Sequence, residues 1–411
     1  MFPIDAPPIE DGELLIAGAE IVRVGPPAHG SATLDLGNVA ILPALVNAHT
    51  HLEFSQLNEP LGAPGMAFHD WIRAVLDYRQ TRPPATGLAI QSGLDESLNS
   101  GTVALAEIAT CSRDEISHYV TALVTILLSE LIGLSGARVQ QQLEMARQLV
   151  TSSTNTWPST QFGLSPHAPY TAHYTLVDHV ARLSDEWRFL VAMHLAESSE
   201  EIQFLRDQSG PIRQLLVERD AWEPDAFWRG MRPLDYLQLL DRAHRSLIIH
   251  GNFLDEEEIR FIGSRRHRMS VVFCPRTHAY FRHPSCPLRR MLDADVNVAL
   301  GTDSRASNPD LSVLSEMRYL AREHSNLGGD EILRMGTQAG AAALGLDVQL
   351  GTLTAGKSAS FVAIGLPQNN QSEAARLVLD SELPVELVVL QGRLIFASEL
   401  VRTAVHGLLD G

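Results

Sequence analysis

The chain has 411 residues, 45% of them hydrophobic, with 49 acidic against 32 basic side chains and a formal net charge of −17. That length suits a large α/β barrel with a small appendage better than one ordinary domain, and the apolar fraction excludes a disordered chain. The acidic balance disfavours nucleic acid and anionic membranes as partners, and three scattered cysteines, Cys111, Cys274 and Cys286, exclude a disulfide framework and fit a reducing cytoplasm.

Met1 to Gly18 is acidic and proline-containing, without the basic flank and apolar core of a signal peptide. Short strands are predicted next, at Glu13–Ala17, Glu20–Val24, Thr33–Leu36 and Ala40–Leu42. Eight apolar runs then alternate with stretches of helical periodicity: Leu45–Ala48, Thr102–Ala106, Val120–Ile126, Gln161–Leu164, Phe189–Met193, Leu247–Ile249, Ser270–Phe273 and Asn297–Leu300. The most apolar stretch, Val120 to Leu128, is about half of a bilayer span and reads as a buried strand. Near the end, Ser360–Ile364 and Glu386–Leu390 are β-rich, and Gln391-Gly392 joins the latter to Arg393–Ala397 as a hairpin.

Eight buried strands separated by helices predict a parallel (β/α)8 barrel, a TIM-like α/β fold, over residues 44–347. The β-rich termini, 1–43 and 348–411, are expected to meet in one small discontinuous β-sandwich domain. No internal repeat of fixed period is present. Chemistry in such barrels sits at the C-terminal ends of the strands.

Polar residues gather at those ends. Strand 1 runs into His49-Thr50-His51, where i and i+2 side chains on an extended segment point the same way. Strand 5 runs into His194-Leu195-Ala196-Glu197, strand 6 into His250-Gly251-Asn252, and strand 8 into Gly301-Thr302-Asp303. Neutral imidazoles with one carboxylate suit one borderline divalent ion, zinc above iron. An open coordination position would lower the pKa of bound water to about 7 and supply a nucleophile for an electrophilic carbon.

Val46-Asn47-Ala48-His49-Thr50-His51-Leu52-Glu53 resembles the opening motif of the amidohydrolase superfamily. Ser165-Pro166-His167-Ala168-Pro169-Tyr170, His194 to Glu197, His250-Gly251 and Gly301 to Asn308 are similar to its aminohydrolases and chlorohydrolases of nitrogen heterocycles. That resemblance implies His49, His51, His194 and Asp303 as ligands of a single metal, and Glu197 as proton donor to a ring nitrogen. It further implies His250 orienting the attacking water, Asp303 accepting its proton, and His167 contacting the heterocycle.

The expected activity is hydrolytic deamination of a purine-like base or nucleoside, a small-molecule substrate, with aminodeoxyfutalosine the leading guess. Guanine, adenosylhomocysteine, methylthioadenosine or a triazine chloride are the alternatives, and a non-catalytic scaffold would require eroded ligands, which are not seen. A monomer and a homodimer are both compatible with these features.

Lysine usage narrows the branch. Lys357 is the only lysine, so the other 31 cations are arginine. Other superfamily branches bridge two metals with a carboxylated lysine at the end of strand 4, where this chain leads to His167. A lysine-bridged binuclear centre is excluded by composition, and Schiff-base chemistry is disfavoured with it.

Weaker signals remain. Gly351 to Ser358 satisfies a phosphate-loop pattern, but the segment after it reads as a strand where that loop needs a helix. Cys274-Pro275-Arg276-Thr277-His278 departs from the family's usual Ser-Asn after strand 7; His278 reads as a solvated loop residue or a substrate contact. His283 and Cys286 do not complete a structural zinc site with Cys274. Trp71, in a long loop after strand 1 with Phe68, either stacks on a planar heterocycle or belongs to the core. Arg138, after Gly133 and Gly136, is a candidate for an acidic substrate tail.

Overall fold

The computed structural model describes residues 1–28, 34–81, 87–110, 123–152, 160–368, 373–399 and 401–402. Its centre is an eight-stranded parallel sheet in strict chain order. The strands are β4 (Leu45–Thr50), β5 (Thr102–Ala109), β6 (Val124–Leu131), β7 (Thr160–Pro166), β8 (Leu190–Leu195), β9 (Arg245–His250), β10 (Met269–Phe273) and β11 (Asn297–Leu300). Residues of β4, β5 and β8 are buried throughout, as expected for strands covered on both faces and written in near-continuous apolar residues. Helices follow the strands, forming the outer layer of the predicted TIM-like barrel.

The sheet closes between β4 and β11. Thr50 bridges Asp303 in parallel register, and the amides of Thr302 and Asp303 both donate to the His49 carbonyl, each at 3.1 Å. Gly301 is required there, because a Cβ on it would lie 2.9 Å from the His49 Cβ. The seam therefore forms at the residues that were predicted to bind metal.

Two smaller sheets come from the ends of the chain. A hairpin pairs β1 (Glu13–Ala17) with β2 (Glu20–Gly25). A four-stranded antiparallel sheet has the order β14 (Arg393–Ala397), β13 (Val385–Leu390), β12 (Phe361–Gly365), β3 (Val39–Pro43). They share a core that includes Ile21, Leu353, Phe361, Leu387 and Val389. The hairpin turn at Gln391-Gly392 has both residues at positive φ, 51° and 73°, as a type I′ turn demands.

Two expectations shift. No strand forms over Leu34–Leu36, because Asp35 Oδ1 accepts from the Gly37 amide at 2.8 Å and turns the chain locally; Thr33 lies outside the described residues. The third barrel strand is Val124–Leu131 rather than Val120–Ile126, with Glu130 inside it rather than beyond it; residues 120–122 and Cys111 also lie outside the described residues. The Gly351–Ser358 segment leads into β12, and Lys357 Nζ donates to the carbonyls of Asp347 (2.6 Å) and Leu350 (3.2 Å). That lysine anchors a turn and does not face a phosphate cradle. No helix among the described residues is long and apolar enough to cross a membrane.

Candidate active site

Each functional side chain sits at the end of its barrel strand. His49 lies within β4 and His51 just past it; His194 lies in β8, His250 ends β9, and Asp303 follows β11. All five are buried. Three residues at these ends take left-handed backbone conformations: Ala196 (φ 55°), His250 (71°) and Asp303 (54°). Such a residue turns the chain sharply out of a strand, at a cost of roughly 1–2 kcal/mol for one bearing a Cβ.

Imidazoles and carboxylate converge on one centre. The ligand atoms of His49, His194 and His250 lie within 4.8 Å of one another, as do those of His49, His51 and Asp303. Asp303 Oδ1 is 3.5 Å from His49 Nε2 and 3.7 Å from His51 Nε2, while its Oδ2 accepts from the Ser307 hydroxyl at 3.0 Å. His194 Nδ1 donates to the His167 carbonyl at 3.0 Å, which fixes its tautomer and leaves Nε2 with a free lone pair.

The donor set fits a divalent metal. Both ring nitrogens of His49, and Nδ1 of His51, are buried without any hydrogen-bond partner. Orphaned buried nitrogens are costly, and an ion between the rings would satisfy those that face it. Burial lowers the pKa of His51, His194 and His250 well below the ordinary histidine value, so the rings are neutral and their lone pairs available.

Sequence and structure comparisons agree with this geometry. The profile of the Amidohydrolase family matches residues 40–395. The chain belongs to that family. Among curated relatives, the 5-methylthioadenosine/S-adenosylhomocysteine deaminase of Pyrococcus abyssi is 28% identical over 86% of this chain and 81% of its own length. The aminodeoxyfutalosine deaminase of a Nitratiruptor species is 25% identical, covering 80% of each chain. In fold, the chain is similar to the Helicobacter pylori aminofutalosine deaminase, with a TM-score of 0.79 and 23% identity over 94% of this chain and 96% of that one. A divalent metal and hydrolytic chemistry at carbon–nitrogen bonds go with membership.

In this amidohydrolase, Glu197 lies beside the centre, its Oε1 3.4 Å from His250 Nε2. It precedes the helix Ser199–Asp207, whose N-cap is Ser198, so its carboxyl is not the cap of that helix. Burial, and then the charge of Asp303, pushes the Glu197 carboxyl well above its ordinary pKa. Asp303 goes the other way. Burial alone would raise it, but the His49 contact and the neighbouring imidazoles outweigh that and keep it ionised.

Of the three expected substrate contacts, His167 stands directly against a residue of the centre. The His167 ring is 5.0 Å from that of His194, and its Nδ1 bonds the Thr171 hydroxyl at 2.7 Å. Trp71 gives its Nε1 hydrogen to the Ala306 carbonyl at 3.0 Å and packs on Phe68 and Phe281, as a strut of the barrel mouth. Arg138 is exposed on the helix Gly136–Ser152 and bonds Gln141 Oε1 at 2.8 Å. His278 is not a solvated loop residue either, since its Nε2 bonds the Pro284 carbonyl at 2.9 Å. Cys274 and Cys286 are buried free thiols.

Sequence reasoning missed a second layer. Asn47 and Thr302 bond each other across the seam, and Asn308 ties the Thr302 carbonyl to Glu316. Arg79 pairs with the buried Glu53 at 2.6 Å, near Glu107 and Glu130. The available signal was weak: Asn47, Glu107 and Glu130 are single polar residues inside apolar strands, and the others are ordinary polar residues of helices and loops.

Proposed function

We propose that the protein is a metal-dependent hydrolytic deaminase of an aminated purine-like base or nucleoside. Aminodeoxyfutalosine is the leading substrate, and methylthioadenosine and adenosylhomocysteine come next. One observation carries the chemistry: two buried carboxylates flank the histidine centre, Glu197 Oε1 3.4 Å from His250 Nε2 and Asp303 Oδ1 3.5 Å from His49 Nε2, with burial favouring the acid form of Glu197 and the His49 contact the carboxylate form of Asp303. Such a pair is what general acid–base work at one carbon requires. The names of the two curated relatives support the substrate class.

His49, His51, His194 and Asp303 would hold the ion, zinc by the preference of imidazole-rich sets. When bound, that ion supplies a Lewis acid that makes water a nucleophile near neutral pH.

The chain's own groups supply the rest. His250 orients a water toward the ring carbon that bears the amine, and Asp303 takes one of its protons at the carboxylate. Protonated Glu197 gives its proton to the adjacent ring nitrogen. As the amine leaves as ammonia, the proton held by Asp303 completes it; the ring nitrogen keeps its proton, and the hydroxyl proton passes to Glu197 as the carbonyl forms, so the site ends as it began. His167 borders the heterocycle. Acid–base help of this kind contributes typically ~10²–10⁴-fold.

The test is metal analysis of the purified protein, then ammonia release from aminodeoxyfutalosine, methylthioadenosine, adenosylhomocysteine, adenosine and guanine. Release from none of them sinks the deaminase reading. Release from guanine alone keeps the reaction class and removes the nucleoside.

A further inference from the structure

The backbone of Ala196 and Glu197 is held at all four of its polar groups. Glu201 Oε1 accepts from the Ala196 amide at 2.8 Å, and Glu201 Oε2 from the Glu197 amide at 3.0 Å. On the other side, the Phe253 amide donates to the Ala196 carbonyl at 3.0 Å, and Asn252 Nδ2 donates to the Glu197 carbonyl at 3.0 Å. Glu201 and Asn252 are both buried.

This is not ordinary helix capping. Glu201 is the third residue of the helix that Ser198 caps, where a glutamate normally reaches back to the N-cap amide. Here its carboxylate passes over Ser198 and takes the two preceding amides instead. Ser198 does the capping itself, accepting from the Glu201 amide at 3.2 Å. Glu201 thus closes a two-point grip on the segment that carries Glu197.

That segment needs gripping. Ala196 is left-handed at φ 55° although it has a Cβ, a conformation that relaxes unless its surroundings over-determine it. The opposing hydrogen bonds come from residues 252 and 253, next to His250. One turn therefore carries His250 and, through Asn252, fixes its distance to Glu197.

We propose that Glu201 and Asn252 are positioning residues that clamp the Ala196–Glu197 backbone and so aim the Glu197 carboxyl at substrate and at His250. The inference rests on the proton-transfer role given above to Glu197. Misplacing a reacting group by about 1 Å can cost ~100-fold in rate.

The test uses full-length, metal-loaded protein with four variants and, as substrate, whichever panel nucleoside the wild type deaminates. Glu201→Gln sets an amide NH2 against one backbone N–H, and Asn252→Asp removes the donor without changing shape. Each is expected to lower kcat about 100-fold, with KM within a few-fold and metal content unchanged. Ser198→Ala removes only the helix cap, so it should lower the melting temperature and leave kcat nearly intact. A purely structural role for Glu201 predicts the reverse pairing: Glu201→Gln melting earlier with wild-type kcat, which would overturn the clamp.

Glu197→Gln separates the two claims. Full turnover in that variant removes the proton-transfer role; loss of turnover there, with none lost in Glu201→Gln, removes the clamp alone. A crystal structure of Glu201→Gln reads the clamp without any substrate. The proposal expects the Glu197 carboxyl to leave its 3.4 Å contact with His250; an unmoved carboxyl defeats it whatever the wild type turns over.

Discussion

Glu130 Oε1 lies 3.9 Å from His167 Nε2, at the wall of the active site, with no hydrogen-bond partner for that oxygen. Burial, only partly offset by Arg79 and reinforced by the charge of Glu53, pushes its carboxyl up to about 7. Between the ordinary value near 4.5 and 7 the folded chain binds this proton and the unfolded chain does not. Stability from this group is therefore full at low pH and is lost as pH rises through that window, by at most about 3 kcal/mol.

Glu130→Gln removes the titration. Melting temperatures of variant and wild type, taken side by side at pH 5 and pH 8, should differ in the variant's favour more at pH 8. A gap that does not change with pH would contradict this account of Glu130.

Asn47 and Thr302 exchange two hydrogen bonds, Nδ2 to Oγ1 at 2.8 Å and the Thr302 amide to Oδ1 at 3.1 Å. Asn47→Ala removes both bonds and leaves the Thr302 amide only the His49 carbonyl, so a loss of about 2 kcal/mol is expected in urea unfolding. Metal content should fall with it, because the seam sets the distance between these ligands. Full metal retention would show that the ligands hold their places without Asn47.

A bound ion stabilises whatever binds it only when folded. Chelation should lower the melting temperature and zinc should restore it. In His49→Ala, both nitrogens of the most enclosed ring are gone, and the melting temperature should no longer respond to zinc. A zinc response that survives this substitution would place the ion elsewhere.

Lys357 holds two carbonyls of the turn that follows the helix Gln338–Leu344. Lys357→Met should cost about 1 kcal/mol in stability, leave turnover unchanged, and show no difference in melting when ATP is added to either protein. Protection of the wild type by ATP, lost in the variant, would revive the phosphate-loop reading.

The barrel was legible in the sequence because its strands are buried on both faces and so are written in unbroken apolar runs. His49, His51, His194, His250 and Asp303 stood out as polar residues interrupting those runs at their ends. Glu201 was hidden among Glu200 and the other acids of a helix start, where charge explains itself without any reach backwards. Glu130 fell beyond the predicted strand, and the strand carries on through it. Trp71 and Arg138 show the limit of residue type as a guide: an indole nitrogen spent on the Ala306 carbonyl, and one arginine among 31, look in sequence like any ligand-binding group.

The seam also has a temporal side. Residues 47 and 302 are separated by 255 positions, and the ribosome delivers the chain from one end. A nascent polypeptide that has not yet emerged past Asp303 carries His49, His51 and His194 but lacks the carboxylate and the last staves that bring them under one roof. With the proposed ligand set, metal capture would wait until the barrel is almost fully synthesised, and a prematurely released fragment would hold histidines without the carboxylate that completes the set.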